Sequence, residues 1–159
     1  MIRTYEITSR ELVARHTAVV RGEMPAGELA AWLAGVYLTV QEYLTGSGAE
    51  PTGPPFARYT FLRDQVAVEA GFPVAGEMSG DDLVAPSMLP AGPAAVTTHV
   101  GPYEELEVAY RAVRDWLAGR GLTPAGPHWE VYLTDPNTEP DPAHWRTDLV
   151  VPYRDAVPR

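Results

Sequence analysis

Apolar residues recur along this chain in two rhythms. Leu29, Leu33, Val36, Tyr37, Val40 and Leu44 fall at helical spacing and predict one face of a helix from about Ala26 to Thr45. Leu106, Ala109, Tyr110, Val113 and Leu117 repeat the pattern behind a Gly101-Pro102 stop. Pro102 suits a first helical position, and Glu104 and Glu105 suit the positive end of the helix dipole. Runs that are apolar and partly β-branched predict strands at Val13 to Val20, Phe56 to Leu62, Val66 to Phe72, Ala94 to Val100, Trp129 to Leu133 and Trp145 to Val151, with a short strand at Ile2 to Ile7 before them. Pro73 to Pro90 reads as a Gly/Pro connector and Asp135 to Pro142 as a loop.

The pattern repeats. GSGAEPTGPPFARYT from Gly46 and GRGLTPAGPHWEVYL from Gly119 align at an offset of 73 residues. Gly46, Gly48, Pro51, Gly53, Pro54 and Tyr59 fall on Gly119, Gly121, Pro124, Gly126, Pro127 and Tyr132, and Phe56 falls on Trp129. Upstream, without a gap, Leu33, Tyr37, Val40 and Leu44 fall on Leu106, Tyr110, Val113 and Leu117. Chance matching of Gly and Pro does not extend across a helix, a turn and a strand, so one strand–helix–strand–strand unit is duplicated. The expected fold is α+β: a single domain over 1–159, with a first βαββ unit at about 1–73, a connector at about 74–91 and a second unit at about 92–152. Two such units pairing edge to edge give one antiparallel sheet with two helices, and a ligand groove is expected near the pseudo-twofold axis.

Composition narrows the function. The chain has 159 residues with 14 Gly and 16 Pro, no Cys, and a formal net charge of -9; all its basic side chains are Arg. Lack of Cys excludes disulfides, a thiol nucleophile and thiolate metal sites. An acidic chain without a basic run argues against direct nucleic-acid binding. Neither a signal-peptide core nor a run of about 18 apolar residues occurs, so no membrane association and a cytoplasmic location are expected. His16, His99, His128 and His144 are scattered without metal-ligand spacing, so no metal is expected, and no cofactor is called for.

One residue breaks the repeat in a chemically pointed way. Alternation in the strand WEVYL places Trp129, Val131 and Leu133 on one face and Glu130 and Tyr132 on the other. The first copy has Ala57 where the second has Glu130. A scaffold role predicts the same residue type in both copies. An acid in one copy only reads either as a ligand anchor or as a solvated Glu on an open face. Tyr59 and Tyr132 are mates in the repeat and read as pocket walls or as ordinary sheet packing. Tyr37 and Tyr110, also mates, read as helix-face core or as a pocket between helix and sheet. Trp32, Phe72 and Met88 are further candidates for a groove lining or a core.

HVGPYEEL from His99 to Leu106, Ala109-Tyr110, Trp116-Leu117, Trp129 to Leu133, Asp135-Pro136, Arg146-Thr147-Asp148 and Val151-Pro152 together resemble the GyrI-like small-molecule-binding domain, also called the AraC-type effector-binding domain. The resemblance covers essentially the whole chain. It implies a tandem pair of βαββ units, in agreement with the repeat. It also implies a Glu at the bottom of an aromatic pocket, matched here by Glu130, with Trp145 near an aromatic pocket position. Such a Glu would have its pKa raised by desolvation, and would pair with a lipophilic cation or exchange a proton. The two units account for the residues given, so no helix-turn-helix is expected.

The expected function is therefore a stand-alone binding protein for hydrophobic, cationic or planar small molecules, a drug or toxin sensor or sequestering protein. Its ligand-binding residues would be Glu130, Tyr59, Tyr132, Trp145, Tyr37, Tyr110, Trp32, Phe72 and Met88. The alternatives implied by the resemblance are a hydrolase opening a strained cyclopropane-bearing electrophile, with Glu130, Tyr59 and Tyr132 as its catalytic groups, and a gyrase-inhibitor-like protein partner role.

Overall fold

Strands form where β-branched and small apolar residues run together, and helices form where Leu, Ala and Glu dominate. In the computed structural model, which describes residues 4–156, the strands are β1 (Thr8–Leu12), β2 (Arg15–Met24), β3 (Phe56–Phe61), β4 (Val66–Pro73), β5 (Ala85–Leu89), β6 (Gly92–Val100), β7 (Leu122–Pro124), β8 (His128–Tyr132) and β9 (Arg146–Asp155). The helices are α1 (Leu29–Gly46) and α2 (Leu106–Ala118), each entered through a single 3-10 turn, at Ala26–Glu28 and Tyr103–Glu105. The class is α+β, and the contacts divide the chain into one unit of residues 13–91 and another of residues 1–12 with 92–159.

In the 13–91 unit the strands pair antiparallel in the order β3-β4-β2-β5. Val36, Val40 and Leu44 of α1 are buried, as the helical spacing requires, and α1 packs on β4 and β2. Ala18, Ala57, Val66, Val68, Ala70 and Phe72 share the sheet face under α1 and complete that core, while Phe56 and Val19 are buried on the other face. Gly71 marks a close backbone approach: a Cβ there would lie 1.9 Å from the Ala18 carbonyl oxygen.

The second unit repeats the plan. Its strands pair antiparallel in the order β1-β6-β9-β8, with β7 added along the far end of β9. Ala95, Val113, Leu117 and Val151 form one buried cluster. Leu106, Ala109 and Leu149 form another, and Tyr5, Tyr103 and Tyr110 pack against it. Gly121 closes the turn after α2 with φ +69 and Gly48 the turn after α1 with φ +72, at matching places in the repeat.

Three expectations need correction. The connector at 74–91 contains β5, which lies antiparallel on β2; its Pro86 and short length had hidden a strand that can sit only at an edge. The strand expected at Ile2 to Ile7 begins instead at Thr8, and residues 2 and 3 lie outside the described ones. β1 is mostly exposed, so it carries no alternating apolar signal, and it pairs with β6 and not with its neighbour in sequence. β7 is three residues long and ends in Pro, too short for periodicity to register.

Replacing Gly71 by Ala forces a Cβ into the β2 backbone. It should lower the unfolding free energy by at least about 2 kcal/mol. Urea titration that shows a change below about 0.5 kcal/mol would contradict the close approach.

Candidate functional site

The chemistry begins on β8. Alternation turns Glu130 and Tyr132 to the same face, and the Tyr132 hydroxyl donates to Glu130 Oε1 at 2.7 Å. Glu130 is 7% exposed. Its other oxygen, Oε2, accepts a hydrogen bond from the Tyr110 hydroxyl on α2. Each carboxylate oxygen thus meets one phenol, one from the sheet and one from the helix. A buried carboxylate requires such donors, because water is no longer there to supply them.

Aromatic rings extend the cluster in both directions. The Tyr110 ring meets His128 edge-on at 4.8 Å between centroids. Tyr132 meets Tyr103 edge-on at 5.8 Å, and Tyr103 lies over Trp145 at 4.7 Å. The Trp145 indole Nε1–H donates to the Glu139 carbonyl at 2.7 Å, fixing the ring on the loop before β9. Tyr103, Tyr132 and Trp145 are only partly buried. The row Trp145, Tyr103, Tyr132, Glu130, Tyr110, His128 lies within one unit of the chain.

Electrostatics keeps two of these groups neutral. Burial holds the His128 imidazole down at about 4, so the ring carries no charge near neutral pH. Burial pushes the Tyr103 phenol above its ordinary range, and the charges of Asp135 and Glu130 add to this.

The other copy shows what the same scaffold does without the acid. Ala57 stands in place of Glu130 and is fully buried. Tyr37, the mate of Tyr110, donates its hydroxyl to the Phe56 carbonyl at 2.9 Å, and its ring meets Phe72 edge-on. Tyr59, the mate of Tyr132, is buried and stacks with Phe61. Trp32 covers Gly22 so closely that a Cβ there would lie 2.6 Å from the indole, and it edges a shallow open depression with Met24 and Glu28. Met88 is 45% exposed on β5.

Of the expected residues, then, Glu130, Tyr110, Tyr132 and Trp145 come together. Tyr37, Tyr59, Phe72, Trp32 and Met88 lie in the 13–91 unit, where Tyr37 and Phe72 pack with each other. Tyr103 and His128 belong to the cluster and were missed. Tyr103 had a readable signal: it precedes Tyr110 by seven residues, two helical turns, and so shares its face. His128 had none beyond its place next to the strand.

Residues 62–154 match the GyrI-like small molecule binding domain. No curated protein matches the chain. Among solved structures, the EcmrR C-terminal domain superposes with a TM-score of 0.83 at 19% identity, over 97% of this chain and 100% of that one. In the EcmrR–DNA complex the TM-score is 0.84 at 20% identity; the match takes in 96% of this chain but only 58% of that longer one. A hydrolase from Listeria innocua gives 0.68 at 16% identity, over 94% and 92% of the two chains. SAV2435 bound to tetraphenylphosphonium gives 0.61 at 12% identity, over 96% and 94%. At these identities the likeness is one of fold.

Two outcomes test the site's geometry. A double-mutant cycle of Tyr110→Phe with Glu130→Gln should give a stability coupling of about 1–3 kcal/mol, and a coupling below about 0.3 kcal/mol would show the Tyr110–Glu130 bond to be worth little. His128 has a folded-state pKa below its unfolded value of about 6.5. The unfolded chain therefore takes up the proton first as pH falls. The His128 contribution is complete above about 6.5 and is lost as pH falls toward about 4. Urea unfolding across that window should show a pH slope that shrinks in His128→Gln; an unchanged slope would mean the ring is hydrated.

Proposed function

Because this chain belongs to the GyrI-like small-molecule binding domain family, we propose that it binds lipophilic organic cations, with Glu130 as the anionic anchor and Tyr103, Tyr132 and Trp145 as the aromatic wall. The observation that carries this reading is a buried carboxylate whose oxygens are met by phenols. A phenol hydroxyl donates a hydrogen bond to a carboxylate oxygen and carries no charge of its own. A cation of low hydration loses little on entering such a site. It gains the carboxylate at close range and about 0.5–2 kcal/mol from each ring face it covers. That SAV2435 is seen with tetraphenylphosphonium makes this ion the natural first probe.

Glu130→Gln keeps the shape and hydrogen-bonding capacity of the side chain and removes its charge. Calorimetric titration with tetraphenylphosphonium should show binding weakened about tenfold or more in this variant, since loss of a desolvated charge partner is worth at least ~1.4 kcal/mol. Neutral triphenylphosphine oxide should bind both forms alike. Equal affinity of the two proteins for the cation would sink the anchoring role.

The same three residues support a second reading. A carboxylate bonded to two phenols is also proton-transfer machinery, and it would let Glu130 activate water toward an electrophilic cyclopropane while a Tyr hydroxyl donates to the opening ring. Turnover of such an alkylator beyond one equivalent, lost in Glu130→Gln, is the expected sign. Protection that stops at one equivalent leaves binding as the function.

A further inference from the structure

We propose that His99 is a positioning residue for the aromatic wall, acting through the Pro102 carbonyl to set Tyr103 on Trp145; the inference rests on the binding reading above. His99 is the penultimate residue of β6 and is fully buried. Its Nε2 lies 3.1 Å from the Pro102 carbonyl oxygen, and its Nδ1 lies 2.9 Å from the Tyr5 hydroxyl. A carbonyl can only accept, so Nε2 carries the proton. In the neutral ring Nδ1 then accepts from Tyr5, and the phenol fixes the tautomer that serves Pro102.

The geometry downstream gives this small network its consequence. Gly101 takes φ +135, a conformation that other residues rarely adopt, and its N–H donates to the Trp145 carbonyl at 2.8 Å. Two hydrogen bonds therefore meet at the end of β6: His99 Nε2–H to the Pro102 carbonyl and the Gly101 N–H to the Trp145 carbonyl. Both act on the backbone that carries the stacked pair, since Gly101 holds Trp145 and Pro102 precedes Tyr103. Tyr103 projects from the 3-10 turn that starts there, and its ring rests on Trp145. Tyr5 shares the Leu106–Ala109–Leu149 cluster with Tyr103 and Tyr110, so the group that fixes the His99 tautomer is anchored on the core that carries the wall. Preorganising the two rings before a ligand arrives removes an ordering cost from binding.

The test uses His99→Leu, which removes the donor, and His99→Gln, whose amide nitrogen reaches a similar place. Two readouts are taken: the Trp145 indole N–H resonance in the ligand-free protein, and tetraphenylphosphonium affinity in the wild-type and Tyr103→Ala backgrounds. His99→Leu should shift the Trp145 resonance and weaken binding about tenfold, the scale of one lost buried hydrogen bond. His99→Gln should stay within about threefold. On the Tyr103→Ala background His99→Leu should cost less than about twofold more, because its route to the ligand is gone. A folded His99→Leu protein with an unmoved Trp145 resonance, or an equal loss of affinity in both backgrounds, would overturn the proposal. Should His99→Leu not fold, Tyr5→Phe takes its place: a shifted Trp145 resonance with a mixed His99 tautomer in the imidazole nitrogen spectrum supports positioning, and an unchanged spectrum rejects it. If wild-type protein does not bind tetraphenylphosphonium, the cation reading fails, and the Trp145 resonance alone decides the positioning role.

Discussion

A carboxylate taken out of water must be met by donors, and the manner of that meeting at Glu130 governs the arrangement around it. One phenol comes from two residues along the same strand and the other from the helix above. The second bond ties α2 to β8 at a point where apolar packing alone would accept several side-chain arrangements. Leaving either oxygen without its phenol would cost about 1–3 kcal/mol. The two rings are therefore held in place, and with them the rings they touch, His128 on one side and Tyr103 on the other.

Duplication gives this arrangement its control. Both copies keep a Tyr on the helix and a Tyr on the following strand. With Ala57 in place of the acid, the helix Tyr turns its hydroxyl to a backbone carbonyl and the strand Tyr packs beside Phe61. The strand–helix–strand–strand plan is thus built in one copy with the acid and in the other with alanine at that place, so the acid is not part of what the two copies share.

Periodicity revealed the helices and the buried strands because burial on one face imposes it. α1 and α2 lie close to where the spacing of Leu29–Leu44 and Leu106–Leu117 placed them. The edge strands β1, β5 and β7 escaped for the opposite reason: they are short, exposed or Pro-containing, and nothing in their environment selects alternation. Within the cluster, Glu130 with Tyr132 was legible from the two-residue alternation and from the broken repeat. Tyr110 was visible only as a helix-face residue whose role was open between core and site. That its hydroxyl reaches the acid depends on how α2 lies over β8, a matter of packing and not of spacing. Residues that act on the backbone, such as His99 and Gly101, leave still less trace, because a hydrogen bond to a carbonyl three residues on looks like any other turn.

The phenols that meet Glu130 have a further physical consequence. They are neutral dipoles: each donates to a carboxylate oxygen and adds no charge of its own. The charge of Glu130 is already felt at Tyr103, whose phenol it helps to keep protonated. With no Lys in the chain, a cationic side chain for a buried acid can come only from Arg or His. The neutral rings of Tyr103, Tyr132 and Trp145 bring no positive charge to the carboxylate, so the proposed binding of an organic cation would draw on ring faces and on one carboxylate together.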